Sequence, residues 1–220
     1  MTATALVVLA HHRPDSLTAH IAGLAARELA AGGYQVDVLD LHHEGFDPRM
    51  TVADQPDWGN REKLYSAETE AHMKRLLAAD LVVFAFPVYW QNVPAILKGW
   101  IDRVWNYGFA YGRSKPRLAG KRVLWLGLAG ASAEDPMTEG MHAFLSAQLN
   151  DGIAYYCGFG ESRVAMLTDA EDKPQTVSED GVLHIGEAIT GEARRAHYAA
   201  FEATALAHVR EFAAAGMVPA

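Results

Sequence analysis

A single cysteine, Cys157, stands in a chain of 220 residues. One thiol excludes an intramolecular disulfide framework and any cysteine-based zinc finger. Cations are also scarce: 19 Lys and Arg face 27 Asp and Glu, for a formal net charge of −8. Such a chain is a poor match for DNA or RNA, whose phosphates need a concentrated basic face. No apolar run approaches the roughly 20 residues that span a bilayer. The opening segment MTATALVVLAHHRP lacks the positive flank and cleavage site of a secretory signal, and reads as a strand. His11-His12 and His42-His43-Glu44 are too contiguous to converge on one ion, so no metal site is expected. These absences point to the reducing cytoplasm, no nucleic acid, no membrane span and a small-molecule partner.

What is present is the composition of a globular protein, half of it hydrophobic. One domain over residues 1–220 is the expectation at this length. Ala5–Ala10 is a continuous apolar run, the mark of a strand buried on both faces, and Leu81–Phe86 and Arg122–Leu128 also read as strands. Gln35–Leu41 and Ser162–Leu167 complete five strands. Between them lie helical repeats: Leu17 to Leu29, capped by Asp15 or Ser16 and stopped at Gly32-Gly33; Leu64 to Ala79; a helix opened by Pro94; and Thr138–Leu149. A last helix is expected over Gly191–Ala214. Glu171–Gly186 reads as polar and irregular, with a turn at Asp180-Gly181.

Alternating strands and helices predict an α/β doubly wound parallel sheet with helices on both faces. The leading order is the flavodoxin-like 2-1-3-4-5, which places ligands beyond the carboxyl ends of the strands where the order reverses. Three loops are thereby selected: His11–Thr18, Pro87–Val93 and Ala129–Pro136. The first has no G-x-G-x-x-G. It offers a helix N-terminus, two hydroxyls and the cationic neighbourhood of His11 and Arg13, which suits a phosphate or simply caps a helix. The second, PVYWQNV, is restrained by a proline at each end and exposes Tyr89, Trp90 and Gln91. Such a loop presents main chain and rings to a flat heteroaromatic ligand, or supplies ordinary core aromatics.

Several stretches, in order, resemble the flavodoxin-like NAD(P)H:quinone oxidoreductases of the DT-diaphorase type and their bacterial relatives, including ancillary subunits of potassium-efflux systems. They are AHHRPDSLT, GFDP (Gly45–Pro48), AADLVVFAFPVYWQNVPAILKGW, GFAYG (Gly108–Gly112), EGMH (Glu139–His142) and YYCGF (Tyr155–Phe159). The resemblance implies a bound flavin, FAD with FMN the alternative, and NAD(P)H as electron donor. It also implies a quinone-like acceptor and a homodimer with sites at the interface. On that resemblance His11, Ser16, Leu17 and Thr18 match the phosphate loop. Pro87, Val88, Tyr89, Trp90 and Gln91 match the segment along the flavin ring, and Gly130 a glycine of the third flavin loop. His142 matches the catalytic histidine, with a surface helix histidine as the plain alternative. Tyr111 and Tyr156 match aromatics that the partner subunit lends to the substrate pocket, and Arg113 stands where a pocket tyrosine is expected.

The departures are specific. Gly127-Leu128-Ala129-Gly130 replaces a Thr-Thr-Gly-Gly run, Pro136 falls at the active-site tyrosine, and Gln91 takes an aromatic position. The basic run Arg113, Lys115, Arg117, Lys121 and Arg122 fits either a solvated loop or the 2′-phosphate of NADPH. Arg194 fits either an adenosine contact or an ordinary helix surface. Cys157 reads as a small buried residue. The expected reaction is ping-pong hydride transfer from NAD(P)H through the flavin to the acceptor. Two other classes share the fold: a regulatory subunit of a potassium-efflux transporter, and a one-electron flavodoxin carrier.

Overall fold

A computed structural model describes residues 2–178 and 180–215. Five strands, β1 (Thr4–Leu9), β2 (Gln35–Asp40), β3 (Leu81–Pro87), β4 (Arg122–Leu128) and β5 (Glu161–Leu167), form one parallel sheet in the order β2-β1-β3-β4-β5. The expected topology is therefore the observed one. Every residue of β3 is buried, as its unbroken apolar run requires. The two-residue period of the strands sorts their side chains between two cores. Val82, Phe84 and Phe86 face one, and Leu81, Val83 and Ala85 face the other.

Helices α1 (Leu17–Ala31) and α5 (Gly191–Ala215) cover the second core. Helices α2 (Ala67–Ala78), α3 (Ala95–Val104) and α4 (Pro136–Ser146) cover the first. That first core is rich in aromatics: Phe84 stacks on Trp125 at 4.4 Å, and Trp100 is fully buried. Gly99 is needed there because a Cβ would lie 2.2 Å from the Pro48 carbonyl oxygen. The GFDP stretch is thus held directly against α3.

The long connection from β2 to α2 is pinned by a buried ion pair that the sequence did not announce. Arg103 of α3 donates to Asp54 at 2.8 Å, and Asp54 also accepts from the Ser66 amide and hydroxyl. Arg103 meets Glu68 at 2.8 Å as well. Each charge is matched by hydrogen bonds, the condition for tolerating burial.

Two expectations need correction. The fourth helix begins at Pro136, behind the cap Asp135, and does not stop at Leu149. It continues as a π-helical segment over Ala147–Ala154. The Trp125 indole donates to Ser162 Oγ, which donates to Asn150 Oδ1 of that segment at 2.6 Å. The stretch 171–186 is not irregular. It holds an antiparallel hairpin, β6 (Gln175–Val177) and β7 (Leu183–Ile185), closed through Gly181 at φ 82°. No helix among the described residues is long and apolar enough to cross a membrane.

Candidate functional site

The site is built from loops at the carboxyl ends of β1, β3 and β4. After β1, Ser16 settles the cap: its Oγ accepts from the Ala19 amide at 3.1 Å. Asp15 is instead engaged by Arg13 at 2.8 Å. The Leu17 and Thr18 amides have no acceptor among the described residues and lie at the positive end of α1. His11 Nδ1 accepts from the Arg13 amide at 3.0 Å. The neutral ring therefore carries its proton on Nε2, as a donor. Burial first, and the neighbouring His12 second, hold the His11 pKa below its ordinary value, which keeps that neutral form at pH 7. The Thr18 side chain is buried, so its part in any phosphate contact falls to its amide.

After β3 the chain makes a two-residue reversal. The Tyr89 and Asn92 amides and carbonyls exchange bonds at 3.0 Å, with Trp90 at φ 50° and Gln91 at φ 59° between them. Two successive positive φ values are the type I′ arrangement that glycine and asparagine usually supply. Here a tryptophan and a glutamine adopt it, and Trp90 is left 99% exposed. Strain of this kind in a surface turn gathers at ligand sites. Pro87 is buried as the last residue of β3, and the Val88 amide donates to Leu128 at 2.8 Å. This ties the turn to the loop after β4.

That third loop is zipped to the segment after β5. Ala170 donates to the Ala129 carbonyl and Asp169 to the Ala131 carbonyl. Between the Trp90 turn, the third loop and the β6–β7 hairpin runs a groove of about 1090 Å³. It is lined by Trp90, Gly130, Pro136 and Met137 and, from the hairpin, by Gln175, Val177 and Leu183. Pro136 thus lies in the groove, at the position where the resemblance expects a tyrosine. Of the residues singled out from sequence, the structure brings together Trp90 and Gly130 here.

Others lie elsewhere. His142 Nε2 is 3.3 Å from the Val164 carbonyl on the sheet-edge strand β5, and His142 is not among the groove's lining residues. Tyr111 and Tyr156 meet at 5.5 Å, but on a separate aromatic patch with Tyr107 and Trp58. Trp58 and Tyr156 are about two-thirds exposed. Four residues of the basic run are engaged locally, Arg117 by Glu62 at 3.8 Å. Arg113 bonds the Gly108 carbonyl and pairs with Glu62 at 2.7 Å, Arg122 pairs with Glu161, and Lys121 donates to the Leu77 and Ala79 carbonyls. Arg194 pairs with Asp172 at 3.3 Å and stacks over Tyr198. Cys157 is buried, and that burial pushes its thiol up to about 12. Sequence reasoning missed the hairpin as a groove wall and Trp58 as part of the patch. The hairpin had a signal in Asp180-Gly181 beside Val182–Ile185, but Trp58 had none.

A parallel five-stranded sheet with loops of this kind defines a flavodoxin-like protein, and comparison with known proteins agrees. Residues 3–185 match the family described as having the flavodoxin-like fold. The uncharacterized NAD(P)H oxidoreductase YcaK of Escherichia coli (strain K12) is 40% identical over 161 residues, covering 73% of this chain and 81% of that one. NAD(P)H dehydrogenase (quinone) 1 of Rattus norvegicus is 31% identical over 217 residues, covering 82% and 79%. Among solved structures, the NAD(P)H:quinone oxidoreductase from Methanothermobacter marburgensis superposes with a TM-score of 0.77 at 18% identity, over 100% of this chain and 98% of that one. The chain belongs to the flavodoxin-like family, within its NAD(P)H oxidoreductase branch.

Proposed function

We propose that this protein is a flavin-dependent oxidoreductase that passes two electrons from NAD(P)H to a quinone or related electrophile. One observation carries the reading: a strained, fully exposed Trp90 turn faces an open groove at the carboxyl end of the sheet, within the NAD(P)H oxidoreductase fold. The residues present fit a flavin. The α1 N-terminus offers the Leu17 and Thr18 amides, the Ser16 hydroxyl and the His11 Nε2–H to a phosphate, whatever the net charge of the chain. Pro87, Val88, Tyr89 and Gln91 offer main-chain edges to the ring, and Gly130 leaves the third loop without a Cβ beside Glu171. FAD is the flavin proposed, on the extent of the match to quinone reductases, and FMN is the alternative.

When bound, the flavin supplies a centre that accepts a hydride from reduced nicotinamide and returns it to an acceptor. The chain's own work is to bind, orient and exclude water. The rigid turn fixes the ring edge, and Trp90 and Met137 provide an apolar surface for flat partners. His142, which lies outside the groove lining of one chain, is proposed to offer a ring N–H to the flavin, as preorganised donors do where negative charge develops. Its Nε2 lies 3.3 Å from the Val164 carbonyl, longer than the usual range for such a bond. Donor and acceptor are proposed to use one pocket in turn.

The aromatic patch of exposed Trp58 and Tyr156 with half-buried Tyr111 is proposed to complete the groove of a second copy in a homodimer. Arg113, braced by Glu62, would frame that patch rather than contact a phosphate. A single flavin-binding domain in the cytoplasm completes the proposal. The test is direct: record the visible spectrum of the purified protein, identify the released flavin by mass, and titrate with NAD(P)H. A yellow protein bleached by NAD(P)H and recoloured by a quinone is expected, with parallel double-reciprocal lines. A protein that binds no flavin would overturn the reading.

A further inference from the structure

A second cavity shares no lining residue with the groove. It measures about 180 Å³ and lies between α2, the segment 61–65 that precedes α2, and the loop after α3. Glu70, Met73, Lys74 and Leu77 of α2 line it at i, i+3, i+4 and i+7, so they stand on one face of the helix. The segments around it are fastened to each other. The Tyr65 hydroxyl donates to the Tyr107 carbonyl at 2.7 Å. Gly108, at φ 78°, packs so close to the Arg61 carbonyl that a Cβ there would collide with it. Arg113 clamps the same corner, donating to the Gly108 carbonyl while it pairs with Glu62 at 2.7 Å.

The lining combines apolar surface with positive charge. Tyr65, Met73 and Phe109 are its buried members, and Leu64 and Leu77 add exposed apolar surface. Four cations line it as well, Arg61, Lys63, Lys74 and Arg117, against two carboxylates. Both carboxylates are already engaged. Glu70 accepts from the Tyr65 amide at 3.0 Å, and Glu62 is held by Arg113 with Arg117 at 3.8 Å. Lys63 donates to the Gln55 carbonyl at 2.6 Å, which leaves its charge uncompensated. Arg61 and Lys74 are exposed and have no ion-pair partner among the described residues. In a chain of net charge −8, this is a local excess of cations around an apolar hollow. A cavity of roughly 150 Å³ with apolar walls is enough for one benzene ring.

We infer that this cavity is a binding site for a small aromatic carboxylate, with the ring against Tyr65, Met73 and Phe109 and the anion held by Arg61 and Lys74. A bare inorganic anion uses only the cations, and a neutral ring uses only the apolar lining. A single ring bearing one carboxylate uses both, and it matches the volume. The site stands apart from the oxidoreductase reading, since it calls on neither flavin nor nicotinamide.

The experiment titrates the full chain with benzoate, benzamide, acetate and inorganic phosphate by isothermal calorimetry, with and without added flavin. At low salt benzoate should bind about fivefold or more tighter than each of the other three, because only it has both ring and charge. Roughly 0.5 M sodium chloride should erase most of its advantage over benzamide. Arg61→Gln combined with Lys74→Gln should weaken benzoate about tenfold while benzamide affinity and Tm hold, both side chains being exposed. Benzoate affinity should be the same with and without flavin. Benzoate that binds no tighter than benzamide or acetate overturns the inference, as does phosphate that binds more tightly than benzoate. Undiminished benzoate binding in the double variant puts the ligand elsewhere and overturns it too. Loss of benzoate binding when flavin is added would give the cavity to the cofactor or to a subunit interface, and also overturns it.

Discussion

Gln91→Gly weighs the strained turn after β3 most directly. Trp90 and Gln91 hold φ at 50° and 59°, and each left-handed non-glycine residue costs roughly 1 kcal/mol or more. The two bonds between Tyr89 and Asn92, at 3.0 Å each, return about 1 kcal/mol apiece, so the turn sits near balance. A glycine at 91 removes the Cβ crowding and, after the entropy it adds to the unfolded chain, gains about 1 kcal/mol. For a chain of this length that is a rise in Tm of about 2–4 °C. Gln91→Pro fixes φ near −65°, cannot enter the turn, and should lower Tm by more than glycine raises it. Thermal unfolding followed by far-UV circular dichroism on protein stripped of flavin reads both changes. Flavin affinity should move the opposite way in the glycine variant, weakening severalfold as the turn loses rigidity. A Tm lowered by glycine, or insensitive to both substitutions, would refute the claim that the turn is held left-handed at a cost.

Three further outcomes follow from the same geometry. Asp54→Asn should destabilise by about 3 kcal/mol in urea unfolding at pH 7, because it strips the fully buried Arg103 of its main counter-charge. Burial pushes the Asp54 carboxyl up, but the Ser66 amide and Arg103 outweigh it and leave the pKa below 3.8. A depressed carboxyl stabilises the fold above its unfolded pKa and loses that contribution as pH falls through the folded value. The loss of stability below about pH 4 should therefore be shallower in Asp54→Asn than in the parent; equal slopes would exclude the pair as its source. Cys157, with its thiol raised to about 12, should label with iodoacetamide at pH 8 about a hundredfold more slowly in the native than in the denatured protein. His142→Ala should lower turnover about tenfold or more with flavin content retained, and unchanged turnover removes His142 from the mechanism.

How far the fold was legible follows from where its information lies. Strands buried on both faces announce themselves locally, and LVVFAF became β3 with one residue added. Pro87 joins because it stands at the strand end opposite Leu128, where a missing N–H does least harm. The choice of α1 cap between Asp15 and Ser16 was not local in the same way. Arg13 claims the aspartate, and only then is the serine the cap. The Asp54–Arg103 pair is 49 residues apart in sequence, with a long loop between, and no periodicity connects them. The π-helical segment fails for a related reason. Its anchor, the Trp125–Ser162–Asn150 relay, draws on two strands outside the helix.

The candidate site divides along the same line. Topology alone places the three loops, because a 2-1-3-4-5 sheet has one point where the strand order reverses. It does not say which side chains turn inward. Trp90 and Gln91 carry no mark of a left-handed turn, since the residues that usually signal one are glycine and asparagine. Tyr111 and Tyr156 are 45 residues apart in sequence, and Tyr156 reaches Tyr111 from just beyond a π-helical segment that no periodicity announces. The hairpin strands are three residues long, too short for alternation to rise above the polar residues around them. Yet this stretch supplies Gln175, Val177 and Leu183 to the lining of the groove. The sheet that positions a cofactor is written in runs of adjacent residues. The hairpin beside it is written in pairings across a turn, and the register of β6 against β7 puts Gln175, Val177 and Leu183, all three groove-lining residues, on one face.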